Sequence, residues 1–226
     1  MNNNRSICAG SAFVSLILLA SPARTADQDA KENRWEATIR KFEEQDKAAP
    51  PSKGGVLFIG SSSIRNWDLK NSFPNEDFIN RGFGGSEIAD STLFAERIAL
   101  PYEPRVIVMY AGDNDIAREK TPEQVAADFH GFVKTIHESA PKTKIVFIAI
   151  KPSIARWSLV EKMREANEII QQIICNNSNL VFVDIDKPML GDDGKPRKEL
   201  FAEDGLHLSG TGYELWTSLV KPHVAE

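Results

Sequence analysis

An aspartate and a histidine stand three residues apart near the C-terminus, in Ala202-Glu203-Asp204-Gly205-Leu206-His207-Leu208-Ser209. A histidine used as a base needs a partner that fixes its tautomer and stabilises its charged form. Asp204 can do this for His207 within one tight turn. By itself the pair is also what an ordinary surface turn would contain. Three upstream segments carry residue types that acyl transfer needs: Gly60-Ser61-Ser62-Ser63-Ile64, Asn80-Arg81-Gly82-Phe83-Gly84-Gly85-Ser86 and Gly112-Asp113-Asn114-Asp115. Ester cleavage requires a nucleophile, a base to activate it and donors for the oxyanion. Ser61, Ser62 and Ser63 are three candidate nucleophiles in a row, although serines in such turns also satisfy backbone groups. The segment is not the Gly-x-Ser-x-Gly elbow of α/β-hydrolases, because Ile64 fills its last place.

The elements that must position these residues are legible as alternating strands and helices. Apolar runs predict strands at Val56–Ile59, Phe78–Asn80, Val106–Tyr110, Ile145–Ile150 and Leu180–Val183. Helical spacing predicts helices over Lys31–Gln45, with Trp35, Ile39 and Phe42 on one face, and over Ile88–Ile98. A helix opened by Thr121 and Pro122 carries Val125, Phe129, Phe132, Val133 and Ile136 on its apolar face. Two more are expected over Leu159–Cys175 and Gly212–Val220. Strands that are apolar throughout and alternate with helices indicate a parallel sheet covered on both faces. In such sheets ligands bind beyond the carboxyl ends of the strands. Ser62, Gly85 and Asn114 each follow a strand, as do Lys151-Pro152-Ser153 and Asp184-Ile185-Asp186.

Taken together, the four segments resemble the SGNH, or GDSL-type, hydrolase family, over nearly the whole span from Phe58 to Tyr213. The resemblance implies a three-layer α/β/α sandwich with a parallel, flavodoxin-like five-stranded sheet. It assigns Ser62 as nucleophile, with Ser61 where the family most often has Asp. It gives Gly85, with Gly84 one residue away, as the oxyanion-hole glycine and Asn114 as the side-chain donor. Asp204 and His207 complete the catalytic set, and the Ser62 N–H joins the oxyanion hole. Among the branches of the family, the chain looks closest to bacterial exported esterases similar to the catalytic subunit of platelet-activating-factor acetylhydrolase. The implied activity is a serine esterase acting on short-chain, especially acetyl, esters without metal or organic cofactor. An acyltransferase acting on a carbohydrate hydroxyl would use the same residues, and a silent binding module on this fold is a third reading.

Arg65, Trp67, Arg81, Arg156 and Trp157 follow strands at the site edge and are candidates for a substrate groove, or for packing. Gly191–Leu200 is a loop that could cover it. Asp113, Asp115, Asp184 and Asp186 are of a type that binds hard cations, but Asp115 is expected to brace the Asn114 loop. His130 and His137 lie seven apart on one helix and are expected to be solvated. Cys175 falls on an apolar helical pattern and is expected in the core.

The chain has 226 residues, 42% hydrophobic and 26% charged, which suits one soluble globular domain. A net charge of −5 offers no basic footprint for nucleic acid. Arg5, the apolar run Ile7–Ala20 and Ser21-Pro22-Ala23 read as a cleaved secretory signal, residues 1–23. Its removal takes away one Arg and no acid, leaving −6. A helix and linker over residues 24–54 and a hydrolase domain over 55–226 would remain. The protein is then exported, periplasmic or secreted, with no stable membrane anchor. Its partner is a small ester, either an acetylated sugar or a short-chain lipid.

Overall fold

The computed structural model describes residues 33–225. The expected signal segment lies outside them. The chain divides into a unit ending at Glu36 and a second running from Ala37 onward. In the first, the Asn33 side chain accepts a hydrogen bond from the Trp35 N–H at 2.9 Å.

Five strands form one parallel sheet: β1 (Val56–Gly60), β2 (Ile79–Gly82), β3 (Val106–Tyr110), β4 (Lys144–Ile148) and β5 (Leu180–Val183). Their order is β2-β1-β3-β4-β5, as in flavodoxin-like sheets. The order reverses between β1 and β3, so the crevice at the switch point lies beyond the ends of these two strands. Every residue of β1 and β3 is buried, as expected of strands covered on both faces.

The longer helices are α1 (Glu36–Ala48), α4 (Ile88–Ile98), α6 (Pro122–Ser139), α7 (Val160–Cys175) and α8 (Gly210–Val224). Three short ones, α2 (Ser62–Arg65), α3 (Leu69–Ser72) and α5 (Asp113–Ala117), follow strand ends or turns. Helix α6 begins where its capping box requires, with Thr121 accepting from Gln124 N–H and the Gln124 side chain accepting from Thr121 N–H. On one side of the sheet Trp216 of α8 is fully buried, with its ring centroid 4.8 Å from Tyr110 and 5.8 Å from Trp67.

Several element ends differ from the sequence expectation for physical reasons. Helix α1 starts after the Asn33 turn and runs three residues past Gln45, stopping just short of the segment that Pro50 restricts. Strand β2 extends through Arg81 and Gly82, which carry no apolar pattern because Asn80 and Arg81 are spent on tertiary hydrogen bonds. Strand β4 stops at Ile148. The backbone of Ile150 pairs instead with the Asn167 side-chain amide, at 2.8 and 3.0 Å. Helix α8 begins at its Ser209 cap and continues past Val220 with Pro222 in its last turns. Cys175, expected in the core, is exposed at the end of α7. A helix terminus turns more of its circumference to solvent than the periodicity implies.

Candidate active site

Gly60 closes β1 with φ +134, and a Cβ there would sit 1.9 Å from the Tyr110 carbonyl oxygen. Only glycine lets β1 turn so close to β3 and deliver Ser62 at the switch point. Ser62 opens α2, where helix geometry leaves the first N–H groups without intrahelical acceptors. The turn is held from below by Asn80, whose amide donates to the Ile64 and Trp67 carbonyls at 2.8 and 3.2 Å. The same side chain accepts from Gly82 N–H at 2.9 Å. Of the three serines, Ser61 and Ser63 are buried and Ser62 is half-buried. Ser63 Oγ instead meets Lys151 Nζ at 3.2 Å, and its carbonyl accepts from the Tyr213 hydroxyl.

His207 Nε2 lies 3.0 Å from Ser62 Oγ, although 145 residues separate them. His207 Nδ1 lies 2.5 Å from Asp204 Oδ2. A carboxylate at Nδ1 places the ring proton there and leaves the Nε2 lone pair facing the serine. Asp204 Oδ1 also accepts from the Leu206 and His207 N–H groups, both at 2.9 Å, so the turn shapes itself around the acid. These bonds, the one to the His207 ring foremost, hold the Asp204 carboxyl down at about 2. Gly205, with φ +62, completes the turn and its carbonyl accepts from Ala155 N–H. Asp204 is half exposed, unlike the buried acid of the best-known triads.

Gly85 follows β2 in the turn leading to α4 and has φ +76. Asn114 sits on α5 beyond β3, 8% exposed. Its Nδ2 donates to the Ser86 carbonyl at 2.9 Å, and its Oδ1 accepts from Arg156 Nη2 at 3.0 Å. Asp113 beside it receives Lys151 Nζ at 2.9 Å and Arg156 Nη1 at 3.0 Å. Burial works to raise the Asp113 pKa, but these two cations outweigh it and hold the carboxyl ionised below the usual range. Asp115 is fully buried, and its Oδ1 accepts from Ile88 N–H and pairs with Lys120 at 3.1 Å. Burial dominates there and pushes its pKa up to about 6. Asp186 pairs with Arg164. The strand-end acids thus face cationic side chains at Asp113, Asp115 and Asp186. His130 is exposed, whereas the His137 ring bonds the Thr143 carbonyl.

The candidates for a substrate groove separate. Trp67 is 2% exposed among Phe58, Phe73 and Trp216, so it is a core residue. Arg81 is 7% exposed and points under α1, where it bonds Asp46 and Tyr102. Packing, the other role the sequence left open for both, is the one they take: Arg81 lies within β2 and Trp67 just after α2, and each side chain enters a packed layer. Arg65 is exposed, and its guanidinium lies where a Cβ on Gly84 would be. Trp157 is half-buried, with Lys195 of the Gly191–Leu200 loop 5.9 Å from its ring. That loop folds on itself through a Leu190–Pro196 bridge. Arg156 is engaged with Asp113 and Asn114. Lys151, Asn80 and Ser86 lay in the segments the sequence placed at the site edge, but no role of their own was read for them. A lysine directly after an all-apolar strand was the available signal, since burial obliges it to find an acid.

Known proteins share this architecture. A GDSL-like lipase from Bacteroides thetaiotaomicron superposes with a TM-score of 0.72 at 20% identity, covering 83% of this chain and 97% of that one. An acetylxylan esterase from Geobacillus stearothermophilus gives 0.62 at 15% identity, covering 77% and 95%. By sequence, the chain is 24% identical over 201 residues to platelet-activating factor acetylhydrolase IB subunit alpha2 of Gallus gallus, covering 86% of this chain and 85% of that protein. The GDSL-like Lipase/Acylhydrolase family profile matches residues 60–215, from the end of β1 into α8. By that match over more than half its length, the chain belongs to the GDSL-like lipase/acylhydrolase family and is an ester hydrolase of that type.

Proposed function

We propose that this enzyme hydrolyses short-chain esters, acetyl esters above all, through an acyl-serine intermediate. The observation that carries the reading is the continuous contact from Ser62 Oγ to His207 Nε2 and from Nδ1 to Asp204. Ser62 Oγ attacks the ester carbonyl carbon while its proton passes to His207 Nε2. The carbonyl oxygen becomes an oxyanion, held by the N–H groups of Ser62 and Gly85 and the second amide hydrogen of Asn114. As the tetrahedral species collapses, the C–O bond to the alcohol breaks and His207 returns the proton to the leaving oxygen. Water then repeats the sequence on the acyl-serine and releases the acid. Asp204 keeps the imidazole in its working tautomer and stabilises its charged form.

An acetylated carbohydrate is the favoured substrate class, because the acetylxylan esterase shares the fold and no long insertion separates the site segments. Export after loss of residues 1–23 would bring the enzyme to such substrates outside the cytoplasm. No helix among the described residues is long and apolar enough to cross a membrane.

The test is Ser62→Ala assayed on p-nitrophenyl esters of rising chain length and then on acetylated sugars. The wild type should favour acetyl and fall off with length. The variant should lose about 10⁴ to 10⁶ in turnover, as for loss of a triad member, with its unfolding midpoint unchanged. Full activity in Ser62→Ala would sink the mechanism, and a preference for long chains would sink the substrate class.

A further inference from the structure

We propose that Arg156 is a positioning residue of the oxyanion hole: it fixes and polarises the Asn114 amide rather than contacting substrate. The inference rests on the oxyanion role proposed for Asn114. A side-chain amide can present either its oxygen or its nitrogen to a site, and only its neighbours decide which. Here both neighbours are unambiguous. The Ser86 carbonyl can only accept, and it takes Nδ2. The Arg156 guanidinium can only donate, and it takes Oδ1. One Nδ2 hydrogen is thereby committed to Ser86, and the other is left for a developing negative charge. A permanent cation on Oδ1 also draws electron density out of the amide, which makes that remaining N–H a stronger donor.

Arg156 is itself held to this task. Its guanidinium faces two consecutive residues of the loop: Nη2 donates to Asn114 Oδ1 at 3.0 Å, and Nη1 stands in ion-pair contact with Asp113 Oδ2 at 3.0 Å. Asp113 is in turn clamped by Lys151, which is 1% exposed and also bonds Tyr110 and Ser63. The loop carrying Arg156 is pinned at Ile150 by Asn167 and at Ala155 by the Gly205 carbonyl in the His207 turn. The guanidinium therefore reaches the donor from a segment tied to both other parts of the site. Lysine is no substitute, since a single ammonium lacks the planar, delocalised charge that faces Asp113 while donating to Asn114.

The experiment is a double-mutant cycle with Arg156→Gln and Asn114→Ala on p-nitrophenyl acetate, with kcat and KM measured separately and unfolding midpoints recorded. Arg156→Gln should lower kcat by roughly 10 to 100-fold, within the loss expected for one donor, and leave KM nearly unchanged. In the Asn114→Ala background the same change should cost less than about threefold, because the group through which it acts is gone. Should Arg156→Gln fail to fold, Arg156→Lys carries the same cycle. A loss that rises in KM alone would make Arg156 a substrate contact and overturn the proposal. Equal losses in both backgrounds would make its role general structure and overturn it too. If Asn114→Ala itself kept full turnover, the oxyanion reading would fall first; an impaired Asn114→Ala with additive Arg156→Gln would sink only the present inference.

Discussion

At the scale of single residues, the acid of the site is the unusual member. Asp204 is half exposed, yet hydrogen bonds from the His207 ring and two backbone N–H groups hold its carboxyl at about 2. A carboxylate depressed on folding contributes stability that is present above its unfolded value, near 3.8, and lost as pH falls through about 2. Asp204 thus stays ionised wherever the enzyme works. In urea unfolding, the Asp204 contribution should therefore hold above about pH 4 and be lost only as pH falls toward about 2, and Asp204→Asn should remove that part of the acid dependence; an unchanged acid profile in the variant would show that the carboxyl is not depressed. Asp204→Asn should lower kcat, but by less than the ~10⁴ seen for a buried triad acid, because exposed charge acts in a higher dielectric. About 10²- to 10³-fold is expected from steady-state rates. The pair was visible in the sequence as two residues three apart. Its exposure was not, since that depends on what the loop from Ile154 to Trp157 covers.

At the scale of elements, the nucleophile turn is built by a residue of the neighbouring strand. Asn80 closes the end of α2 by bonding two carbonyls there and one N–H of its own strand. Asn80→Ala should cost about 1 to 3 kcal/mol in urea unfolding, the usual loss when buried partners go unpaired. Turnover should fall as well, because Ser62 is carried on that turn. An unchanged rate would show that the turn holds its shape without Asn80. Strands and long helices were readable because burial on two faces, caps and apolar periodicity are local signals. The short helices α2, α3 and α5 were not: α2 and α5 are held by tertiary bonds, and α3 is a single turn capped by Asp68, too short to show a periodic pattern.

At the scale of the molecule, α1 from Ala37 onward is joined to the sheet by charge. Asp46 receives both Arg81 and the Tyr102 hydroxyl, and Glu43 receives Arg97 at 2.7 Å. Burial first, with the Asp46 hydrogen bond adding to it, raises the Tyr102 hydroxyl to about 12, so it remains a donor. Arg81 is largely buried, so Asp46→Ala would strand a cation. A destabilisation of about 3 to 5 kcal/mol is expected, measured by denaturant unfolding, with kcat little changed because the pair is not in the site. A loss below about 1 kcal/mol would mean that water reaches Arg81 readily. Export is tested on the full chain: the secreted or periplasmic protein should begin at Arg24 by mass spectrometry, and an intact Met1 in that fraction would refute the reading of residues 1–23 as a cleaved signal.

The sequence by itself determined the alternation of strands and helices, the parallel sheet, and the four segments from which the site is drawn. These follow from burial and from spacing along the chain, which any stretch of residues displays on its own. The sequence's resemblance to the family, not spacing alone, singled out Ser62 among three serines, and it gave Ser62 and His207 only as members of separate segments. Their meeting at 3.0 Å across 145 residues is the work of the strand order, which places the end of β1 against the turn before α8. The tertiary structure alone decided that Trp67 and Arg81 face inward, that Cys175 faces out, and that Arg156 serves Asn114. A side chain's partners are set by the layer its Cβ enters, and that layer exists only after distant elements have packed.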